Sequence, residues 1–207
     1  MKYIIMCGGY SVKQPLPRHL RVLYGETIVG RTIRQLKRAG ITDISISSAD
    51  RRFEQFGLPV IYEHHKRYRW LNAFYTTNEP TCYMFGDVFY SPQAIRTIVT
   101  TETDDIEFFA SAKPFSKWYI KRHEEPFAFK VQDTDHFHKC LARTQWYYNH
   151  HYSPRAISWE LWLVIKGTEL NTIEPNYTII NDYTCDIDTE EEALQLRKKL
   201  KMLCPNI

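Results

Sequence analysis

Apolar and polar positions follow two different periods along the chain. Residues 3–7, YIIMC, form a short apolar run that ends in Gly8 and Gly9, and this predicts a buried strand. In TIVGRTIRQLKRAG, Val29, Ile33 and Leu36 recur at helical spacing. Lys37 and Arg38 fall in the last turn and Gly40 is the expected C-cap. The start is therefore strand, loop, helix. ITDISISSA returns to alternation through Ile44 and Ile46, LPVIYEH predicts another strand, and TCYMFGDVFY is an apolar run that stops at Gly86 and Asp87. SPQAIRTIVTT then predicts a helix with Ser91 as cap and Pro92 in its first turn.

The second half is less regular. IEFFASA, PFAFKV and AISWELWLVI predict strands, with DTDHFHKCLARTQWYYN as a helix between the last two. In YTCDIDTEEEALQLRKKLKML, a short strand precedes a helix whose Ala193, Leu196, Leu200 and Leu203 share one face, and Thr189 with Glu192 forms a capping box at its start. Strands separated by helices predict an α/β fold with a mixed, mainly parallel sheet covered on both faces.

Composition narrows the class. The 207 residues are 43% hydrophobic and 14% aromatic, ample for one sizeable core. A formal net charge of +3 suits anionic ligands but gives no footprint for nucleic acid. The five cysteines (Cys7, Cys82, Cys140, Cys185, Cys204) are scattered without metal or redox spacing, as buried thiols of a reducing compartment are. No basic leader with an apolar stretch and no run of about eighteen apolar residues is evident, so the expectation is a cytoplasmic protein with no membrane partner.

The candidate chemistry lies at strand ends. Open α/β sheets bind ligands beyond the carboxyl ends of their strands, and the first strand-to-helix loop is where backbone amides meet phosphate. That loop here is residues 7–18, with glycines for a close backbone approach and Lys13 and Arg18 for charge. A tight turn and a phosphate cradle both fit it. Asp87 closes one strand, and Asp186 and Asp188 close the last; two such carboxylates with substrate phosphates suit magnesium. Equally, Asp87 fits a strand-end turn and Asp188 a helix entry. His64, His65, His123, His136, His138, His150 and His151 show no zinc-ligand spacing.

Over nearly its whole length the chain resembles the nucleotidyltransferases of the nucleotide-diphospho-sugar transferase fold, especially the compact cytidylyltransferases that activate small phosphorylated compounds. CGGYSVK stands where that group has A-A-G-x-G-x-R, Pro17-Arg18 where it has P-K, and YGETIVGRTIRQLKRAGITDISI follows closely. YRWLNAFYTT is similar to a segment of the phosphocholine-type enzymes, MFGDVF to the metal-binding strand end, and CDIDTEEEALQL to the closing D-I-D-T-x-E-D segment.

The resemblance implies a single Rossmann-like three-layer domain over 1–207, with a nucleotide-binding half of about 1–112 and an acceptor-binding half of about 113–207. It implies Mg2+ on Asp87 and Asp188, with Asp186 as the alternative second ligand. Cys7, Gly8, Gly9, Tyr10, Ser11, Asn72 and Gly86 would meet a nucleoside triphosphate, CTP by preference, and Lys13 and Arg18 would act in catalysis. The implied reaction transfers a nucleoside monophosphate to a phosphorylated small molecule and releases pyrophosphate.

Three departures stand out: Ser11 replaces the second glycine, Lys13 the loop arginine and Arg18 the lysine. Charge is kept, but arginine and lysine meet phosphate differently. For the acceptor, Glu160 on the SWELWLVI segment and Lys113 and Lys117 after FFASA are the candidates, while Trp159 and Trp162 fit either pocket or core. Two other functions fit: a glycosyltransferase of the related fold, which holds its metal on a D-x-D pair like Asp186-Ile187-Asp188, and a nucleotide-binding relative without activity.

Overall fold

The computed structural model describes residues 1–8, 16–61, 71–112, 120, 123–170, 172 and 176–203. Strand β1 (Lys2–Met6) leads to a small hairpin, β2 (Val22–Leu23) and β3 (Glu26–Thr27), and then to helix α1 (Ile28–Arg38). The hairpin turn is Tyr24-Gly25, with φ of 53° and 78°. Positive φ at both central residues gives the backbone twist that a two-residue turn needs, and glycine adopts it freely. Thr27 caps α1 by accepting from the Gly30 amide, and Gly40 follows its end at φ 85°.

Strands β4 (Ile44–Ser47), β5 (Val60–Ile61), β6 (Thr81–Phe85) and β7 (Val88–Phe89) precede helix α2 (Pro92–Thr100), which Ser91 caps through the Ala94 amide. Then come β8 (Ile106–Ser111), β9 (Pro126–Val131), α3 (Thr134–Asn149), α4 (Ser158–Ile165), β10 (Thr178–Ile180), β11 (Cys185–Asp186) and α5 (Glu190–Leu203). The central sheet has the order β10-β8-β9-β6-β1-β4-β5, and only β9 runs against its neighbours. The mixed, mainly parallel sheet expected from the alternation of elements is present.

Consecutive residues of β4 and β6 are all buried, so both faces of the sheet are covered. α1 packs against α2, and α3 against α4. The core is aromatic: Phe108 stacks on Phe129 at 4.4 Å, and Phe74 meets Tyr83, Phe129 and Phe137 edge-on. Lys130 crosses to the end of α2, where its Nζ donates to the carbonyls of Ile98, Val99 and Thr101 at 3.1, 2.9 and 2.5 Å. A cation thus satisfies the exposed carbonyl end of that helix.

One expected strand is a helix. SWELWLVI forms α4, in which Ser158, Glu160, Leu161, Trp162, Val164 and Ile165 are buried. A segment buried nearly all round shows no polar face, so its pattern cannot separate strand from helix. The Glu160 carboxylate accepts from the Ile157 amide at 3.3 Å, which closes the first turn. No described helix is long and apolar enough to cross a membrane.

Candidate active site

β11 does not join the central sheet. It pairs antiparallel with β7, Asp186 opposite Val88 and Cys185 opposite Phe89, and the Ile187 amide then donates to the Asp87 carbonyl at 3.0 Å. Ile187 is fully buried with Leu23, Ile28, Phe89, Ala193, Leu196 and Leu200 in a second, smaller core. Side chains alternate along an extended chain, so burying Ile187 turns Asp186 and Asp188 the other way. Asp87, Asp186 and Asp188 each place a carboxylate oxygen within 4.8 Å of the others'.

The backbone around Asp87 is tightly built. The Gly86 amide donates to the Met6 carbonyl at 2.9 Å, and the Cys7 amide to that of Ser47 at 2.7 Å, which ties together the ends of β6, β1 and β4. A Cβ on Gly86 would lie 2.6 Å from Cys7 Sγ and 2.7 Å from the Met6 oxygen. Close packing of two strand ends therefore requires glycine here, a reason distinct from nucleotide contact. Cys7 is buried, and burial together with the charge of Asp87 raises its thiol pKa well above the ordinary value. It is no nucleophile.

Arg18, in the short turn Arg18–Leu20, donates from Nε to Asp87 at 2.8 Å and from Nη1 to Asp188. A guanidinium thus already bridges two of the three carboxylates. Two neighbours that sequence alone does not single out complete the frame. Arg21 donates to the Ile187 carbonyl at 3.0 Å and to Glu190 at 2.6 Å, so it holds the segment that carries Asp188. A basic residue that grips backbone leaves no motif. His19 is buried beside Phe53, with Nε2 3.9 Å from Asp87; burial lowers its pKa to about 4 despite the neighbouring carboxylate. The ring is neutral at pH 7, and the contact with Asp87 is not ionic.

The expected cap of α5 is present. The Asp188 and Thr189 amides donate to Glu192 at 2.7 and 3.0 Å, and the Glu192 amide to Thr189 Oγ1 at 3.2 Å. Of the proposed nucleotide loop, Cys7 and Gly8 are described; Gly9, Tyr10, Ser11 and Lys13 lie outside the described residues, as do Lys113 and Lys117. Asn72 belongs to a turn, Leu71–Ala73, that packs on Gly8: a Cβ on Gly8 would come within 3.3 Å of Ala73 Cβ.

The three aspartates and Arg18 line a cleft of about 670 Å³. Arg155, Ser158, Trp159, Glu160, Trp162 and Tyr177 line it too, so α4 brings Glu160 to the same cavity as the aspartates. Glu160 is already engaged: one oxygen accepts from Arg155 Nε and Nη2 at 3.0 and 2.8 Å, the other from the Ile157 amide.

No model of a known protein family matches the chain, and no curated protein matches it. Among solved structures, it is similar to a putative glucose-1-phosphate thymidylyltransferase from Bacillus anthracis, crystallised in complex with a sucrose. The likeness has a TM-score of 0.59 and covers 100% of this chain and 96% of that one, at 14% identity. The chain has the nucleotide-diphospho-sugar transferase fold. At that identity the likeness speaks for architecture, and the chemistry rests on the cleft itself.

Proposed function

We propose that the chain is a nucleotidyltransferase that joins the nucleoside monophosphate of a triphosphate to a phosphorylated small molecule and releases pyrophosphate. The observation that carries this is the convergence of Asp87, Asp186 and Asp188 beside the end of β1, in a cleft large enough for an organic phosphate. Three carboxylates of a hard oxygen-donor set suit Mg2+, and the bridging Arg18 guanidinium marks the same place as one that takes positive charge. Asp87 and Asp188 would hold the ion, with Asp186 as the alternative ligand. The ion would supply charge neutralisation at the α-phosphate.

The chain's own residues then do two things. Gly8 and the loop after it, with Lys13, bind the triphosphate tail; Arg18 stabilises the charge that develops on the phosphoryl oxygens. An acceptor phosphate is anionic at neutral pH, so its oxygen attacks the α-phosphorus without a general base while the bond to pyrophosphate breaks. The elements around α4 hold the acceptor in line. In this scheme residues 1–112 bind nucleotide and 113–207 bind acceptor, with Asp186 and Asp188 crossing over.

The resemblance in sequence favours CTP, whereas the structural neighbour's name points to a thymidine nucleotide and a hexose phosphate. A pyrophosphate-release assay with each triphosphate against a panel of organic phosphates, with and without Mg2+, tests the proposal. Release that depends on both substrates supports it. A glycosyltransferase, favoured by the shared face of Asp186 and Asp188, would instead free a nucleoside diphosphate from a nucleotide sugar and yield no pyrophosphate.

A further inference from the structure

The cleft holds two polar groups that nothing among the described residues uses. Ser158 is fully buried and Trp162 is 2% exposed; both line the cleft. Neither Ser158 Oγ nor Trp162 Nε1 has a hydrogen-bond partner among the described residues. They sit four residues apart on α4, hence on one face of the helix. A buried indole N–H or hydroxyl ordinarily finds a partner, because leaving one unpaired destabilises the fold. Two such donors on one helix face, in a cavity that the aspartates also line, are groups waiting for a ligand.

Nearby groups limit what the ligand can be. Trp162 Nε1 can only donate, so it requires a ligand oxygen or other acceptor. Glu160, the carboxylate between them in sequence, is already neutralised by Arg155 and bonded by the Ile157 amide. His123 Nδ1 lies 2.9 Å from Glu125 Oε1, and Glu124 lines the same cleft. A cation–π contact already covers the Trp162 ring, with Lys166 Nζ 4.7 Å from its centroid. Trp159 and Tyr177 meet each other edge-on at 5.5 Å. A trimethylammonium head would find one aromatic face taken, and it would leave both donors unsatisfied. A hydroxyl-bearing carbon chain would satisfy them, its oxygens accepting from Trp162 and Ser158 while its C–H faces lie on the aromatic rings.

We propose that Ser158 and Trp162 form a hydroxyl-recognition pair for the acceptor, which makes the acceptor a phosphorylated polyol or sugar rather than a phosphorylated quaternary amine. This rests on the transferase reading for where the acceptor's phosphate points, but not for whether the pair binds hydroxyls. Such a pair explains why the fold tolerates two buried, unpaired donors: the unliganded protein is less stable than it could be, and ligand binding recovers the difference.

The test is calorimetric titration of the full chain with glucose 1-phosphate, glycerol 3-phosphate and phosphocholine. Each is run alone and with Mg2+ and a non-hydrolysable triphosphate analogue, on wild type, Ser158→Ala and Trp162→Phe. At least one hydroxylated probe should bind tenfold or more tighter than phosphocholine. Each substitution should weaken that probe about tenfold and leave phosphocholine unchanged. Unliganded Ser158→Ala should melt at the same temperature as wild type or higher, since it removes an unpaired buried hydroxyl; a merely structural serine would melt lower. Ser158→Ala carries the test alone if Trp162→Phe does not fold. Equal or tighter binding of phosphocholine, wild-type affinity in the variants, or no binding of either hydroxylated probe would overturn the proposal. Selective binding without pyrophosphate release would instead uphold the pair and refute the transferase reading.

Discussion

Arg18 and Asp87 are joined at 2.8 Å, Nε to Oδ2, and the same guanidinium reaches Asp188. One cation therefore spans two carboxylates that come from opposite halves of the chain. Arg18 and a divalent ion would compete for these oxygens. Arg18→Ala should tighten Mg2+ or Mn2+ binding to the nucleotide-free protein several-fold, while it lowers kcat about a hundredfold through lost charge stabilisation. Titration calorimetry with Mn2+ and steady-state kinetics check the two effects, and an unchanged kcat would remove Arg18 from catalysis.

Asp87→Asn should abolish metal-dependent turnover, about a thousandfold or more, with a modest change in stability. It keeps the shape of a buried side chain while removing the charge a metal needs. Thermal melting beside the pyrophosphate assay separates the effects; full activity in this variant would leave Asp87 as a turn residue.

Gly86→Ala should damage folding more than chemistry. Its Cβ would lie 2.6 Å from Cys7 Sγ and 2.7 Å from the Met6 oxygen, and backbone at a strand end cannot move aside cheaply. A loss of about 3 kcal/mol is expected, measured by urea unfolding. A near-wild-type midpoint would show that β1 and β6 separate readily.

Lys130→Met tests the cap on α2. Three carbonyls lose their donor at once, so a loss of about 2 kcal/mol is expected by urea unfolding, even though the methionine fills similar space. An unchanged midpoint would mean that water replaces the ammonium at no cost.

Much of the fold was legible because local signals agreed. Gly40 marks the end of α1, Ser91-Pro92 the start of α2, and Thr189 with Glu192 the start of α5; each is realised in hydrogen bonds or backbone angles. The aspartates were legible as residues at strand ends. Their convergence was not, since it depends on β11 leaving the main sheet to pair with β7, a long-range contact that no periodicity records. The α4 segment reads as a strand because burial on nearly every side erases its polar face. Arg21 and His19 act through backbone and burial, which are properties of the folded chain alone.

The central claim is that these aspartates serve transfer of a nucleoside monophosphate onto an organic phosphate. Phosphorus NMR of the protein with Mg2+, CTP or a thymidine triphosphate, and glucose 1-phosphate or glycerol 3-phosphate tests it most directly. The account predicts that free pyrophosphate and a new diphosphate-linked product grow together in wild type, and that neither appears with Asp188→Asn. Triphosphate hydrolysis with no diphosphate-linked product, or the same product from Asp188→Asn at the wild-type rate, would contradict it.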